Sequence, residues 1–348
     1  MSKEIFLETM KLKNMNSGLG QFCFHLGHAI NQQNNTFDLT YYLPERSEAI
    51  FGDNLHYLKA SPWHRLLGVP RHANLFHWMY QGSPYWPRQR DTKVVLTVHD
   101  LNFTVKYSGW RRKFKMDELQ RQADRADRIV SISNYTRHEI LRHLEVDGKK
   151  LSVIYNGLSL PSSNQQKPSF APDKKFFFTI GIIAFKKNFH VLLPILKMFE
   201  DYVLIIAGNN SGAYAHQIRS KASSLGIADR ILLPGEISEG EKQWLFNNCE
   251  AFLFPSLTEG FGLPVIEAMA FGKPVFISKL TSLPEIGGPH AYYFHDFQTD
   301  HMIEIIKSGL KDYQDKPEKK EEIKKWANRF SWDTAAREYL QLYTSLLS

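Results

Sequence analysis

Short apolar runs alternate with longer mixed stretches through the first half of the chain. Residues 5–7, 39–42, 75–79, 94–98, 129–132 and 151–155 are strand-like in length and in their β-branched and aromatic content. The stretches between them have room for helices, so the alternation predicts a parallel sheet with covering helices. Thr136 and Glu139 have capping-box spacing ahead of Ile140 and Leu141, which predicts a helix starting near Thr136 and ending near Asp147 and Gly148.

Apolar periodicity vanishes between Pro161 and Pro172, where Pro, Ser and Gln dominate, and this stretch reads as a linker. Beyond it the alternation restarts, with strand-like runs at 176–180, 203–207, 231–233, 251–254 and 274–277, each followed by a helical pattern. A second α/β domain follows from that. Pro194 interrupts the apolar run 191–196 and predicts a kinked helix there. From Asp300 the strand signals stop; 318–329 reads as a charged helix with a solvated face, and 332–347 as a last amphipathic helix. Two α/β domains of similar size predict a ligand cleft between them. The chain shows no fixed-period repeat.

Composition narrows the classes. The 348 residues suit two domains, and 24 Phe, 15 Tyr and 7 Trp exclude a disordered chain and predict a globular, soluble one. No apolar run approaches the ~20 residues needed to cross a bilayer. The N-terminus lacks the pattern of a signal peptide, so a cytoplasmic location is expected. Cys23 and Cys249 have no metal-ligand spacing and read as buried thiols. Lys plus Arg (43) against Asp plus Glu (36) leaves +7, which favours an anionic partner: nucleotide phosphates, anionic lipid or nucleic acid.

The strongest chemical signal is Pro255-Ser-Leu-Thr-Glu259-Gly260-Phe261-Gly262-Leu263-Pro264-Val-Ile-Glu267-Ala-Met-Ala270, which joins a strand to a helix. Pro264 fits the first helical position, leaving the amides near Gly262 and Leu263 at a helix start, where anions are favoured. Glycines on both sides of Phe261 let the backbone approach a diphosphate. Taken singly, Glu259 reads equally as the end of a solvated loop and Glu267 as a first-turn acid favoured by the helix dipole.

As a whole, that string resembles the signature of the retaining glycosyltransferases of family 4, which have the GT-B fold. The resemblance spans nearly the whole chain. Val98-His99-Asp100-Leu101 is similar to the strand end that carries the family's active-site histidine, and Ser131-Ile-Ser-Asn-Tyr-Thr136 to the helix start after it. Val153-Ile-Tyr-Asn-Gly157 resembles the approach to the interdomain linker, and Phe330-Ser-Trp332 the start of a helix that returns to the first domain. The resemblance therefore implies an α/β protein of GT-B architecture, two Rossmann-like domains with parallel sheets facing across a cleft. The expected divisions are an acceptor domain at 1–166, a nucleotide-sugar domain at 167–330 and a returning helix at 331–348.

The same resemblance implies residue roles. Lys187, in Gly181-Ile182-Ile-Ala-Phe-Lys186-Lys187-Asn188, matches the lysine that neutralises the departing diphosphate, although alone it reads as a solvated surface lysine. Many members carry Arg where this chain has Ile182, and Lys186, a first-domain residue or the helix dipole would have to supply the missing charge. Glu259 would bind the donor sugar hydroxyls, Glu267 the ribose, and His99 the same sugar from the opposite wall. His99 also reads as a satisfied histidine at a strand end. Gly18 and Gly20, in Asn16-Ser-Gly-Leu-Gly-Gln-Phe22, match the loop facing donor phosphate and acceptor; a dinucleotide fingerprint is disfavoured because position 23 is Cys23. Asn209, Asn210, Gly235 and Ile237 resemble the loops that frame the base, though Asn and Gly also serve turns.

Trp110-Arg111-Arg112-Lys113-Phe114-Lys115 interleaves aromatic and basic residues. It reads as an exposed helix start, as a docking surface for anionic membranes, or, with no accompanying motif, as a nucleic-acid patch. The resemblance implies sugar transfer from a nucleoside diphosphate sugar to a glycan or lipid-linked saccharide, with retention, no metal and no cofactor beyond the co-substrate. Similarity to bacterial polysaccharide mannosyltransferases makes GDP-mannose the first expected donor and cell-surface polysaccharide or lipopolysaccharide assembly the expected pathway. The alternatives are a same-fold epimerase or phosphorylase, a catalytically silent scaffold and a basic nucleic-acid binder.

Overall fold

Apolar runs without alternation suit strands covered on both faces, and they form two all-parallel sheets. A computed structural model describes residues 2–348 except 46, 48, 49, 54, 160, 162 and 163. The chain divides into two units, Met1–Gly157 with Phe330–Ser348, and Leu158–Arg329.

The first unit holds β1 (Glu4–Glu8), β2 (Asp38–Leu43), β3 (His56–Lys59), β4 (Leu75–Trp78), β5 (Lys93–Val98), β6 (Arg128–Ser131) and β7 (Leu151–Val153), in the order β3-β2-β1-β4-β5-β6-β7. Phe6, Phe76, Leu96, Val98 and Ile129 belong to its core, with Phe6 stacked on Phe76 at 4.9 Å. The second holds β8 (Lys175–Ile180), β9 (Tyr202–Ala207), β10 (Ile231–Gly235), β11 (Ala251–Phe254), β12 (Val275–Ser278) and β13 (Tyr292–Phe294), in the order β10-β9-β8-β11-β12-β13. Strand order reverses beside β1 in the first sheet and beside β8 in the second. In open sheets of this kind ligands sit outside the carboxyl ends of the strands at that reversal.

The last helix, Trp332–Leu347, belongs to the first unit and is anchored there by buried hydrogen bonds. The Tyr343 hydroxyl lies 2.6 Å from His77 Nδ1, and the Tyr339 hydroxyl 2.8 Å from Thr97 Oγ1, which in turn lies 2.8 Å from His77 Nε2. Burial lowers His77 to a pKa of about 3, so this network is neutral. The helix start approaches Gly157 so closely that a Cβ there would lie 2.1 Å from the Trp332 nitrogen.

Several expectations need correction. Residues 158–166 group with the second unit, where the Gln166 amide donates to the Gly240 carbonyl and Asn247 to Gln165 Oε1, so the division falls at 157 and not 166. The 161–172 stretch has no helix or strand among its described residues, with Ser162 and Ser163 outside them. The helix expected at Thr136 is Asn134–His143, capped by Ser133, whose Oγ accepts from the Thr136 amide. Its expected end at Asp147 and Gly148 is instead a separate 3-10 turn, Gly148–Lys150. Pro194 does not kink a helix. Without an amide hydrogen it restarts the chain, and the run becomes two 3-10 turns, Phe189–Leu192 and Pro194–Lys197. The edge strands β3 and β13 were not evident because they are short and largely half-exposed, β3 mixing polar with apolar residues and β13 spanning only three.

Candidate functional site

In the second unit, the loops after β8 and β11 meet where the strand order reverses. The Leu257 amide donates to the Lys186 carbonyl at 2.8 Å, and Ser256 Oγ lies 3.2 Å from the same carbonyl oxygen. The two loops thereby hold Lys187 against Glu259, with Nζ 2.5 Å from Oε1. The Ser256 hydroxyl donates its single hydrogen to that oxygen, at 2.6 Å. The two side chains are 9% and 12% exposed, so Lys187 is not a solvated surface lysine. Its ammonium also lies 4.6 Å from the centre of the Phe254 ring. Glu259 Oε2 takes no protein hydrogen bond among the described residues, which leaves one carboxylate oxygen open to a ligand hydroxyl.

The strand ends beside this pair are lined with glycine. Gly181, Gly208 and Gly235 all have positive φ, and a Cβ on Gly208 would lie 2.0 Å from the Gly181 carbonyl oxygen. Only glycine fits there, and the result is bare backbone at the carboxyl ends of β8, β9 and β10. The Gly208 backbone amide donates to the Gly235 carbonyl, and the Asn210 side-chain Nδ2 to the Leu233 carbonyl. Asn209 is exposed, its Oδ1 accepting from the backbone and hydroxyl of Ser211 in turn chemistry. Ile237 is half-buried, just ahead of the helix Glu239–Asn248.

Gly262, at φ +108, caps the helix Leu263–Ala270, so Pro264 is the second helical residue and not the first. Phe261 is buried and its carbonyl accepts from Ser282 Oγ, so this position offers backbone and not its ring. Gly260 is buried beside it. Glu267 projects from this helix, and its Oε1 accepts from Lys242 Nζ at 2.9 Å. Burial pushes Lys242 down, but Glu267 and Glu239 outweigh it and hold its pKa above the ordinary lysine value. Ile182 is 57% exposed. Lys186 makes no side-chain hydrogen bond or ion pair among the described residues.

In the first unit His99 follows β5 and is buried. Its Nε2 lies 2.9 Å from the Met79 carbonyl oxygen, and its own amide donates to Gln81 Oε1 at 3.0 Å. Burial, opposed by the Met79 bond and aided by Lys11, lowers it to about pH 4. The imidazole is therefore neutral at pH 7. Donating Nε2–H to Met79 leaves Nδ1 as the acceptor. Gly20 lies in the helix Gly18–Gln33 behind the capping Ser17, and a Cβ on it would meet the Asn14 carbonyl oxygen at 2.1 Å; Gly18 faces open space.

Sequence reasoning missed Glu8 and Lys242. Glu8 ends β1 at the reversal of the first sheet and is wholly buried; the signal was an acid closing an apolar run. Nothing local in the sequence marks Lys242, because its partner lies on another helix. The basic run opens the helix Gly109–Arg125 and is exposed: Trp110 is 73% and Phe114 55% accessible, Arg111, Arg112 and Lys113 are free of ion pairs among the described residues, and Lys115 pairs with Glu118. Both cysteines are buried free thiols. No helix among the described residues is long and apolar enough to cross a membrane, and no three His, Cys, Asp or Glu among them cluster to hold a metal.

Two family models match the chain in succession: glycosyltransferase family 4 over residues 32–160 and glycosyl transferases group 1 over 162–329. The chain is similar to the O-antigen chain mannosyltransferase RfbU of Salmonella typhimurium, 26% identical over 241 residues, covering 69% of this chain and 66% of the relative. It is 27% identical over 277 residues to the serotype-specific mannosyltransferase WbdA of Escherichia coli, covering 73% of this chain and 34% of that protein. Among solved structures, Anabaena HepE in complex with UDP and glucose superposes with a TM-score of 0.78 at 15% identity over 99% of this chain and 100% of that one. Sucrose-phosphate synthase from Thermosynechococcus elongatus superposes with a TM-score of 0.78 at 16% identity over 99% of each chain.

Proposed function

Because this chain belongs to the GT-B glycosyltransferases of family 4, with a group 1 domain as its second half, we propose that it transfers a hexose from a nucleoside diphosphate sugar to a glycan or lipid-linked saccharide. Mannose from GDP-mannose is the first candidate, in cell-surface polysaccharide or lipopolysaccharide assembly, since RfbU is an O-antigen chain mannosyltransferase and WbdA a serotype-specific mannosyltransferase. The observation that carries this reading is the covered Lys187–Glu259 pair at the strand-order reversal, beside glycine-lined strand ends and a helix start.

The reaction builds negative charge on the departing diphosphate. In this reading Lys187 and the first-turn amides near Gly262 and Leu263 receive it, and Lys186 supplies a second cation where Ile182 cannot. Glu259 offers Oε2 to the donor sugar hydroxyls, Glu267 meets the ribose, and Gly235 and Ile237 frame the base. In the first unit His99 is suited to accept a hydroxyl through Nδ1, with Gly18 and Gly20 opening the helix next to it. Transfer with retention and without a metal belongs to the same reading. The test is diphosphate release by the purified protein from a panel of nucleoside diphosphate sugars, with metal chelated. We expect slow hydrolysis of one donor, abolished by Glu259→Ala. Calorimetry showing no binding of any donor would sink the reading, and binding without turnover on any acceptor would favour a silent scaffold.

The exposed Trp110, Phe114, Arg111, Arg112 and Lys113 support docking on an anionic membrane, with Lys115 at its border. Each such charge contributes about 1 kcal/mol near an anionic surface. The protein should co-sediment with phosphatidylglycerol vesicles and not with phosphatidylcholine vesicles. Arg111→Glu with Arg112→Glu should cut the bound fraction several-fold, and equal binding to both vesicle types would refute docking.

A further inference from the structure

Glu267 is held by a residue that reaches it from another helix. Lys242 Nζ lies 2.9 Å from Glu267 Oε1 and 2.9 Å from Glu239 Oε2. The side chains of Lys242 and Glu267 are largely covered, whereas Glu239 is open to solvent. Glu239 and Lys242 stand one turn apart on the helix after β10, a common surface pairing. The contact with Glu267 is of another kind, because it crosses to the helix after β11. It also uses only one side of the carboxylate. Oε1 keeps a second lone pair, and Oε2 takes no protein hydrogen bond among the described residues. A carboxylate presented in this way can accept from two neighbouring hydroxyls at once, one on each oxygen. A vicinal cis-diol supplies that pair, and a 2′-deoxyribose does not.

We infer that Lys242 is a positioning residue that fixes the Glu267 carboxylate for the cis-diol of a ribose, and so makes the site select ribonucleoside over 2′-deoxyribonucleoside diphosphates. This rests on the assignment of Glu267 to the donor nucleotide. The ammonium restrains a side chain that would otherwise be ordered only when the ligand arrives. Glu239 contributes by sharing the ammonium and touches no ligand.

The experiment measures the affinities of GDP and UDP and of their 2′-deoxy forms by calorimetry. The wild type should prefer the ribose form of the nucleotide it binds by about ten-fold or more, as expected for hydrogen bonds to a charged group. Lys242→Met should reduce that ratio to about two-fold while leaving the affinity of the 2′-deoxy form unchanged. Lys242→Arg should retain the preference, and Glu239→Gln should leave it intact. If Lys242→Met fails to fold, Lys242→Gln is measured in its place, and its ratio must fall below that of the wild type. A ratio unchanged in the folded variant overturns the inference. Equal weakening of both sugar forms overturns it too, since that is what a purely structural tie between two helices would give. A wild type that binds a ribonucleotide with no preference refutes the ribose contact of Glu267 and the role of Lys242 with it, and leaves sugar transfer from a nucleotide donor standing. A wild type that binds neither GDP nor UDP, nor any donor in the panel, refutes the proposed function itself.

Discussion

Lys187→Met is expected to lose about 10²–10³-fold in donor turnover, the range found when a preorganised charge-stabilising group is removed. The same change should destabilise the protein by about 3–5 kcal/mol, because it leaves the covered Glu259 carboxylate with Ser256 Oγ and no cation. The two effects have different remedies. Adding Glu259→Gln to Lys187→Met removes the stranded charge while keeping the hydrogen bond from Ser256, so most of the stability should return. Turnover should not return, since the cation facing the leaving group and the carboxylate assigned to the donor sugar are both missing. The catalytic loss of Lys187→Met is therefore read from the single variant, and the double variant reads stability. Urea denaturation and diphosphate release on the wild type, both single variants and the double variant separate the two roles. If the double variant regained activity along with stability, Lys187 would be a folding residue only. If Lys187→Met were as stable as wild type, the pair would not be the desolvated contact its geometry describes.

Much of this site was legible in the sequence because it is local. Glu259, Gly262 and Glu267 lie in one stretch that runs from the loop after β11 into its helix, and Lys187 follows β8 by a few residues, so each sits in a short string whose resemblance to the family carried its role. The sheets were legible for a related reason: strands covered on both faces leave continuous apolar runs, as in β5 and β9. What was hidden depends on contacts across the chain. Lys242 and Glu267 are 25 residues apart, and no spacing rule links neighbouring helices of an α/β unit. The helix expected at Thr136 starts earlier because Ser133, and not Thr136, has its hydroxyl in the capping position. At Pro194 the expectation of a bent helix assumed that the hydrogen bonds on either side survive, whereas the chain closes shorter 3-10 turns instead.

Glu8 leads to the second large effect, which reads out in stability and does not depend on the reaction. Its carboxyl is wholly buried at the end of β1, with Oε2 taking no hydrogen bond among the described residues and Oε1 accepting from the Met10 amide at 3.3 Å. Burial raises its pKa from 4.5 to about 8, against smaller lowering effects of the Met10 amide, Ser83, Lys11 and Tyr80. The groups that face it are Lys11 from the turn after β1, Cys23 from the helix Gly18–Gln33, Tyr42 from β2, and Tyr80 and Ser83 after β4. Lys11 is the one basic group among these, and its Nζ lies over the Tyr80 ring, 4.1 Å from the centre. The folded protein therefore holds a proton on Glu8 at pH 7 that the unfolded chain has released. With the folded pKa above the unfolded one, the contribution is fully present below pH 4.5 and is lost as pH rises through about 8. At 1.36 kcal/mol per pKa unit the loss reaches about 5 kcal/mol above pH 8. Glu8→Gln keeps the shape of the protonated acid and cannot ionise. Its stability advantage over wild type should be small at pH 4.5, grow steadily toward pH 8 and then level off. Denaturant unfolding of both proteins across that range gives the difference curve, in which the histidines common to both cancel. A difference that stays flat from pH 5 to 9 would show that Glu8 is ionised in the fold, and would place a cation against it in solution that the Lys11–Tyr80 contact does not provide.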